Sequence, residues 1–334
     1  MTIGKAADRK ADAPDAEFSF VAPCLDHLDE VAIRSHLAED RFFWLDIAGP
    51  KEEDIRSLER IFGFHPLAME DTAKFAQRPK LDDYGDYAFL VFYGCWHQAP
   101  DDAGPLHEVH LYISGKYLVT VHRDPLPPLQ RQQEQLHRRA LHSEQFLVYR
   151  VLDALTDSYF PVLSEVDDEI DELESTLLRE PTEECLQRLF ALKRRMVAMR
   201  KIVTPQRDLF SRSIDQLSEL PGLQLDARDY FRDIYDHLIR ISDLIDSYRD
   251  LLSGATDLYL STISNRQNDV MRQLTIIATV FLPLSFLTGF FGMNFSLLTG
   301  HFINTTWSFW VLGVGSMVAT CVALGWFFHR RGWL

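Results

Sequence analysis

Residues Leu274–Asn294 read LTIIATVFLPLSFLTGFFGMN, and the rest of the chain is organised around them. From Leu274 to His329 there is no Asp, Glu, Lys or Arg. A helix needs about 20 mostly apolar residues to cross a hydrocarbon core of roughly 30 Å. Residues 274–292 nearly fill that length, and a second apolar run, 307–328, follows a short polar link. One uncharged helix can be the centre of a large soluble core, but two in succession predict a transmembrane hairpin.

The first of these helices is not a plain anchor. Asn268, Met271, Thr275, Ala278, Leu282, Ser285 and Gly289 recur at three- or four-residue spacing and share one face. That face is small or polar at membrane depth, whereas Ile276, Ile277, Phe281, Leu284, Phe286 and Phe290 point elsewhere. Small-residue faces serve close helix packing; a polar stripe can also line a pore, and the spacing alone leaves both open.

Charge sets the orientation. Arg266 and Arg272 precede the first span, and His329, Arg330 and Arg331 follow the second, while the intervening loop is uncharged. By the positive-inside rule both termini are expected to be cytoplasmic. Residues 1–17 lack an apolar core segment and are expected to be a disordered tail, not a signal peptide. The net charge of −15 argues against nucleic-acid binding, which needs clustered basic surface. Cys24, Cys95, Cys185 and Cys321 form no CxxC pair, which fits a reducing compartment without a structural zinc site.

Residues 18–128 read as mixed α and β. Phe42–Ile47 and Tyr87–Trp96 are expected as strands, Glu52–Phe62 as a helix, and Val109–Ile113 with Tyr117–Val121 as a hairpin around Ser114-Gly115-Lys116. Nothing in this segment reads as catalytic: it has no Gly-rich phosphate loop, no GxSxG and no HExxH, and an enzyme with an organic substrate is not expected. His107-Glu108-Val109-His110 has the wrong spacing for helical zinc ligands.

Beyond Pro125, Pro127 and Pro128 the pattern turns helical, with Pro161 expected to kink the first arm and Pro181 to open the second. The first arm is acidic at Glu165–Glu174, the second basic at Lys193–Lys201. Pro221-Gly222 is the last strong breaker before Pro283, so one helix is expected from about Leu225 to Gly292, roughly 100 Å long at 1.5 Å per residue. A lone helix of that length cannot bury its apolar face, which predicts a symmetric homo-oligomer. The expected fold class is an α+β cytoplasmic domain followed by long stalk helices and a two-helix transmembrane hairpin. Its parts are 1–17, 18–128, 129–273, 274–292, an outer loop at 293–306, 307–328 and a basic tail at 329–334.

The run closes on Gly292-Met293-Asn294, and the match to a known pattern extends well beyond it. Tyr259-Leu260-Ser261, Ser264-Asn265, Leu274–Ala278, Pro283-Leu284 and Gly289 belong to that pattern. So do Tyr230-Phe231-Arg232-Asp233, Tyr235-Asp236-His237, His65-Pro66-Leu67, Glu70-Asp71 and Trp333-Leu334. On these residues the chain resembles the CorA family of magnesium and cobalt transport proteins, related to the ZntB zinc transporter branch, from about residue 40 onward.

The resemblance implies a funnel-shaped homopentamer in the cell (inner) membrane. It makes Gly292, Met293 and Asn294 the selectivity filter, with Asn294 amide oxygens holding a hydrated Mg²⁺ by its water shell, which Mg²⁺ gives up reluctantly. Met271 and Leu274 match a hydrophobic gate, Leu282, Ser285 and Asn268 the rest of the pore lining, and Asp257 an acidic ring. Asp71 and Asp233 match carboxylates that face each other between neighbouring protomers over a regulatory Mg²⁺, with Glu70 near a second ion. A divalent ion gains roughly 4.6 kcal/mol per 100 mV of membrane potential, so conduction needs no ATP. One departure bears on selectivity. Phe295–Thr306 carries no acid, and His301 is its only titratable group. Co²⁺, Ni²⁺ and Zn²⁺ therefore stand beside Mg²⁺ as cargo. Besides a passive Mg²⁺ channel, two readings remain at this stage: a ZntB-like zinc transporter, proton-coupled or not, and a membrane-anchored regulatory module that conducts nothing.

Overall fold

The structure is a computed structural model and describes residues 22–96, 104–136, 144–219, 227–293 and 306–333. The expected tail at 1–17 and most of the loop at 293–306, including Asn294 and His301, lie outside the described residues. The chain divides into two compact units, Met1–Glu174 with Gln187–Gly254, and Ser175–Leu186 with Ala255–Leu334.

The first unit is built on a six-stranded mixed sheet in the order β1-β2-β6-β5-β4-β3. Its strands are β1 (Cys24–Leu25), β2 (Phe43–Ala48), β3 (Lys80–Asp83), β4 (Ala88–Cys95), β5 (Leu106–Ile113) and β6 (Tyr117–His122). β2 runs parallel to β1 and β6, and the other pairs are antiparallel, with β5 and β6 forming the expected hairpin. β4 is buried along its whole length, because both sheet faces are covered.

One face carries α1 (Glu30–Ala38), α2 (Glu52–Phe62) and α3 (Pro66–Lys74). Their core includes Ile33, Leu58, Phe64 and Met69, packed on Phe43, Phe89 and Tyr112. The ends of α2 follow from its sequence. Asp54 accepts the Lys51 N–H at 2.8 Å at its start, and Gly63 terminates it at φ 69°. α3 starts with Pro66 at its first position, where the missing N–H has no helical partner to lose.

The other face is covered by α4 (Pro127–Leu136), α5 (Glu144–Asp157), part of α7 (Glu183–Glu219) and the start of α8 (Ala227–Phe291). Leu129, Leu147, Val151, Leu155, Phe210, Phe231 and Leu238 share a core with Trp44, Leu90 and Phe92. Packing therefore runs straight across the proline-rich stretch at 125–128. Gly94 permits the close approach: a Cβ there would sit 2.9 Å from Leu155 Cδ2.

β3 pairs with β4 only as far as Val91, so the edge of β4 beyond it needs other partners. The Tyr93 N–H donates to Gln206 Oε1 of α7 at 2.9 Å, and the Cys95 N–H donates to Ser158 Oγ at 2.8 Å. Ser158 is available because the helix breaks there, between α5 and α6 (Tyr159–Arg179). Pro161 has no N–H for the carbonyl four residues back, so the expected kink is a one-residue break. Pro181 does not open α7; it precedes Thr182, whose Oγ1 accepts the Cys185 N–H at 3.3 Å and caps the helix.

The second unit holds the continuation of α8, a single 65-residue helix with Pro283 inside it. A short α9 (Thr306–Ser308) leads through a wide π-helical segment, Phe309–Val314, into α10 (Gly315–Arg330). The most apolar window of α8 has a mean hydropathy of 2.0 and no buried residue, and that of Phe309–Arg330 reaches 1.9. Leu274, Phe281, Leu282 and Phe286 are each more than half exposed. Apolar surface on that scale requires lipid, another chain, or both.

Candidate functional site

The predicted pore residues share one side of α8. At 100° per residue, Asp257, Asn268, Met271, Leu274, Leu282 and Ser285 fall within roughly 120° of one another. All six are exposed in the single chain. Gly292 follows the last turn and its N–H donates to Thr288 O at 2.9 Å. A Cβ at Gly292 would meet that carbonyl at 3.0 Å, so the helix end is shaped for glycine. Met293 donates to Phe290 O at 3.3 Å and is exposed.

The predicted metal carboxylates have separate partners within the chain. On α3, Glu70 pairs with Lys74, and Asp71 accepts from Lys80 Nζ at 2.7 Å. The turn after α3 fixes where these two acids sit. Phe75 and Ala76 take positive φ of 55° and 60°, conformations that cost L-residues free energy unless their surroundings hold them. The Glu108 carboxylate provides the hold, accepting the Ala76 and Gln77 N–H groups at 2.6 and 3.0 Å. His110 Nε2 lies 2.6 Å from the same carboxylate. Burial alone would raise the pKa of Glu108, but these partners outweigh it and lower the pKa. Strand alternation thus explains the His107–His110 motif as a structural clamp: Glu108 and His110 serve α3, and His107 faces Asp124 at 3.6 Å.

Asp233 lies on α8, where Oδ2 accepts from Tyr149 OH at 3.1 Å. Its Oδ1 is 3.9 Å from His237 Nε2, one helical turn on. The other ring nitrogen, Nδ1, is 3.3 Å from Asp157 and 3.9 Å from Asp153, both on α5. These three side chains place ligand atoms within 4.8 Å of one another, the only such His/Cys/Asp/Glu group among the described residues. His237 Nδ1 is sealed from solvent and makes no aligned hydrogen bond. Burial first, then repulsion from Asp157 and Asp233, pushes the pKa of Asp153 up to about 6. The α5 C-terminal pole adds further negative potential. A cation would relieve that repulsion: the two carboxylates suit Mg²⁺, and the imidazole admits Co²⁺, Ni²⁺ or Zn²⁺.

Sequence reasoning missed this cluster. Asp153 and Asp157 at i, i+4 look like a solvated helix face, and His237 is eighty residues away. The mixed sheet and the break at Ser158 bring them together.

A family model described as CorA-like Mg²⁺ transporter protein matches residues 39–330. The cobalt/magnesium transport protein CorA of Thermotoga maritima is 34% identical over 298 residues, covering 87% of this chain and 83% of that protein. The zinc transport protein ZntB of Yersinia enterocolitica is 27% identical over 331 residues, covering 96% of this chain and 91% of that protein. The complete structure of the CorA magnesium transporter from Methanocaldococcus jannaschii superposes with a TM-score of 0.77 at 25% identity, covering 88% and 92% of the two chains.

Proposed function

Because the chain belongs to the CorA-like Mg²⁺ transporter family, we propose that it is a passive Mg²⁺ channel that also accepts Co²⁺ and Ni²⁺. In this reading it is a homopentamer in the cell membrane with both termini in the cytoplasm. The observation that carries the reading is the α8 face from Asp257 to Ser285, wholly exposed in one chain and continuous with Gly292-Met293. Five copies of that face around an axis would enclose a path lined by Asp257, Asn268, Met271, Leu274, Leu282 and Ser285. Asn294 would hold the hydrated ion at its outer end, and Met271 with Leu274 would close it by dewetting.

Regulation would sit on α3, α5 and the start of α8. Asp71 of one protomer would meet Asp233 of the next over a Mg²⁺. Asp153, Asp157 and His237 would hold a second ion beside it, near Glu70. Cytosolic cation would then favour the closed assembly, provided that it binds the closed state more tightly than the open one.

Zinc is the second reading, favoured by the imidazole in the Asp153–Asp157–His237 group. Flux into proteoliposomes containing the purified chain tests both. Mg²⁺ uptake that rises with an inside-negative potential is the expected result. Zn²⁺ uptake without Mg²⁺ uptake would replace the first reading with the second, and no flux of either ion would refute both.

A further inference from the structure

α7 presents two different sides in the first unit. One is core, with Leu189, Leu192, Met196 and Met199 buried. The opposite side forms a groove of about 740 Å³ whose lining includes Phe190, Lys193, Arg194, Val197 and Lys201. Phe190 and Val197 are 45% and 38% exposed, one heptad apart and flanked by cations. Three other cations of α7 are engaged: Arg188 with Glu169 and Glu172, Arg200 with Asp246, and Arg207 with Asp208. Among the described residues, Lys193, Arg194 and Lys201 form no ion pair. An apolar seam edged by unmatched positive charge is the pattern of an interface helix.

The complementary surface is on the neighbouring helix of the same chain. α6 exposes Asp168 and Asp171 on the side away from its core residues Val166, Ile170 and Leu173. Neither acid forms an ion pair among the described residues. The two helices run antiparallel, with Arg188 opposite Glu169 and Glu172. Arg194 lies about one and a half turns further on, level with the Glu165–Asp168 turn of α6.

We infer that the basic, apolar side of α7 docks on the acidic side of α6 from a second copy of this chain. A positive seam and a negative seam on different sides of one hairpin cannot meet within one molecule, but they meet between copies. Such a contact is heterologous, and repeating it by rotation about an axis parallel to the helices gives a ring when the rotation closes. The inference rests on the proposed self-association and names a surface that the α8 argument does not use.

Replacing Phe190 with the photoreactive benzoylphenylalanine in the full chain provides the test. Isotopically heavy and light chains are mixed before assembly, in detergent and in lipid nanodiscs. Irradiation is expected to join Phe190→benzoylphenylalanine of one isotopic form to the Glu165–Asp171 peptide of the other. Asp168→Lys with Asp171→Lys should cut that yield several-fold, and adding Arg194→Glu should recover part of it. Cross-links confined to the same chain, or to lipid, would overturn the inference. Native mass of the same sample separates the possible failures. A multimer without the α6 cross-link refutes the docking alone, and a single chain in both media refutes the assembly as well.

Discussion

Asp153 gives the most quantitative handle on the proposed cation site. Its pKa of about 6 stands above the ordinary carboxylate value. For an acid raised on folding, the favourable contribution is present below the unfolded pKa of roughly 4 and is lost as pH rises through 6. Two units at 1.36 kcal/mol each set an upper bound of about 3 kcal/mol for the cost at neutral pH. The true cost is smaller, because the side chain is 27% exposed. A bound divalent ion offsets that cost and must displace the proton. At pH 5 roughly nine in ten Asp153 carboxyls are protonated, against about one in thirty at pH 7.5. The apparent Kd should therefore be ~10-fold weaker at pH 5, about 1.4 kcal/mol. Thermal unfolding of the full chain in detergent, titrated with Mg²⁺ and with Co²⁺ at both pH values, measures the difference. Asp153→Asn should raise Tm without cation at pH 7.5 and blunt the cation-dependent rise. Equal affinity at both pH values, or wild-type cation dependence in the variant, would refute the site.

Asn294→Ala is expected to abolish divalent flux while the oligomer survives on a sizing column; normal Mg²⁺ uptake would remove Asn294 from the filter. Native mass in detergent should give about five chains per particle, and a transporting monomer or dimer would overturn the long-helix argument. Millimolar Mg²⁺ should protect the cytoplasmic part from protease, and Asp71→Ala with Asp233→Ala should lose that protection. If the double variant keeps it, the gating ions bind elsewhere. Ser158→Ala leaves the buried Cys95 N–H without its 2.8 Å partner. It should destabilise the fold by about 1–3 kcal/mol in denaturant unfolding, with flux per folded protein unchanged.

The elements that were legible in the sequence are those whose own pattern decides them. Glu52–Phe62 is found with those bounds because its apolar period, Asp54 and Gly63 all act locally. β4 is a run of Ala, Phe, Leu, Val and Tyr long enough for a buried central strand. α8 is legible because no breaker separates Ala227 from Pro283. Three elements were not. β1 has two residues and exists only by pairing with β2. β3 is Lys-Leu-Asp-Asp, an edge strand with no apolar alternation. α1 exposes Val31 and buries only Ile33, so its period is faint, and Asp29 capping Val31 and Ala32 decides its start. The cation cluster was illegible for a different reason. Its residues belong to two helices far apart in the chain, and each acid taken singly has the sequence context of a solvated surface.

What the cluster must supply to close a pore is modest if five copies act together. Moving a two-state assembly from 1:99 to 99:1 takes a differential of about 5.5 kcal/mol. Shared among five identical protomers, that is about 1.1 kcal/mol each, which one ion supplies at a concentration of roughly five times its Kd for the closed state. A site weakened by its own repulsion, as Asp153 and Asp157 are, fits that requirement better than a tight one. Tight sites would stay filled at every cytosolic concentration and could report nothing. Asp233 gives the ion a mechanical route. It touches the imidazole of His237 on one side and Tyr149 on the other, and it belongs to the same unbroken helix as Met271 and Leu274. In the proposed channel, an ion held at the cluster would draw the start of α8 toward α5. The charge balance that sets the pKa of Asp153 would then also set the open fraction of the proposed channel.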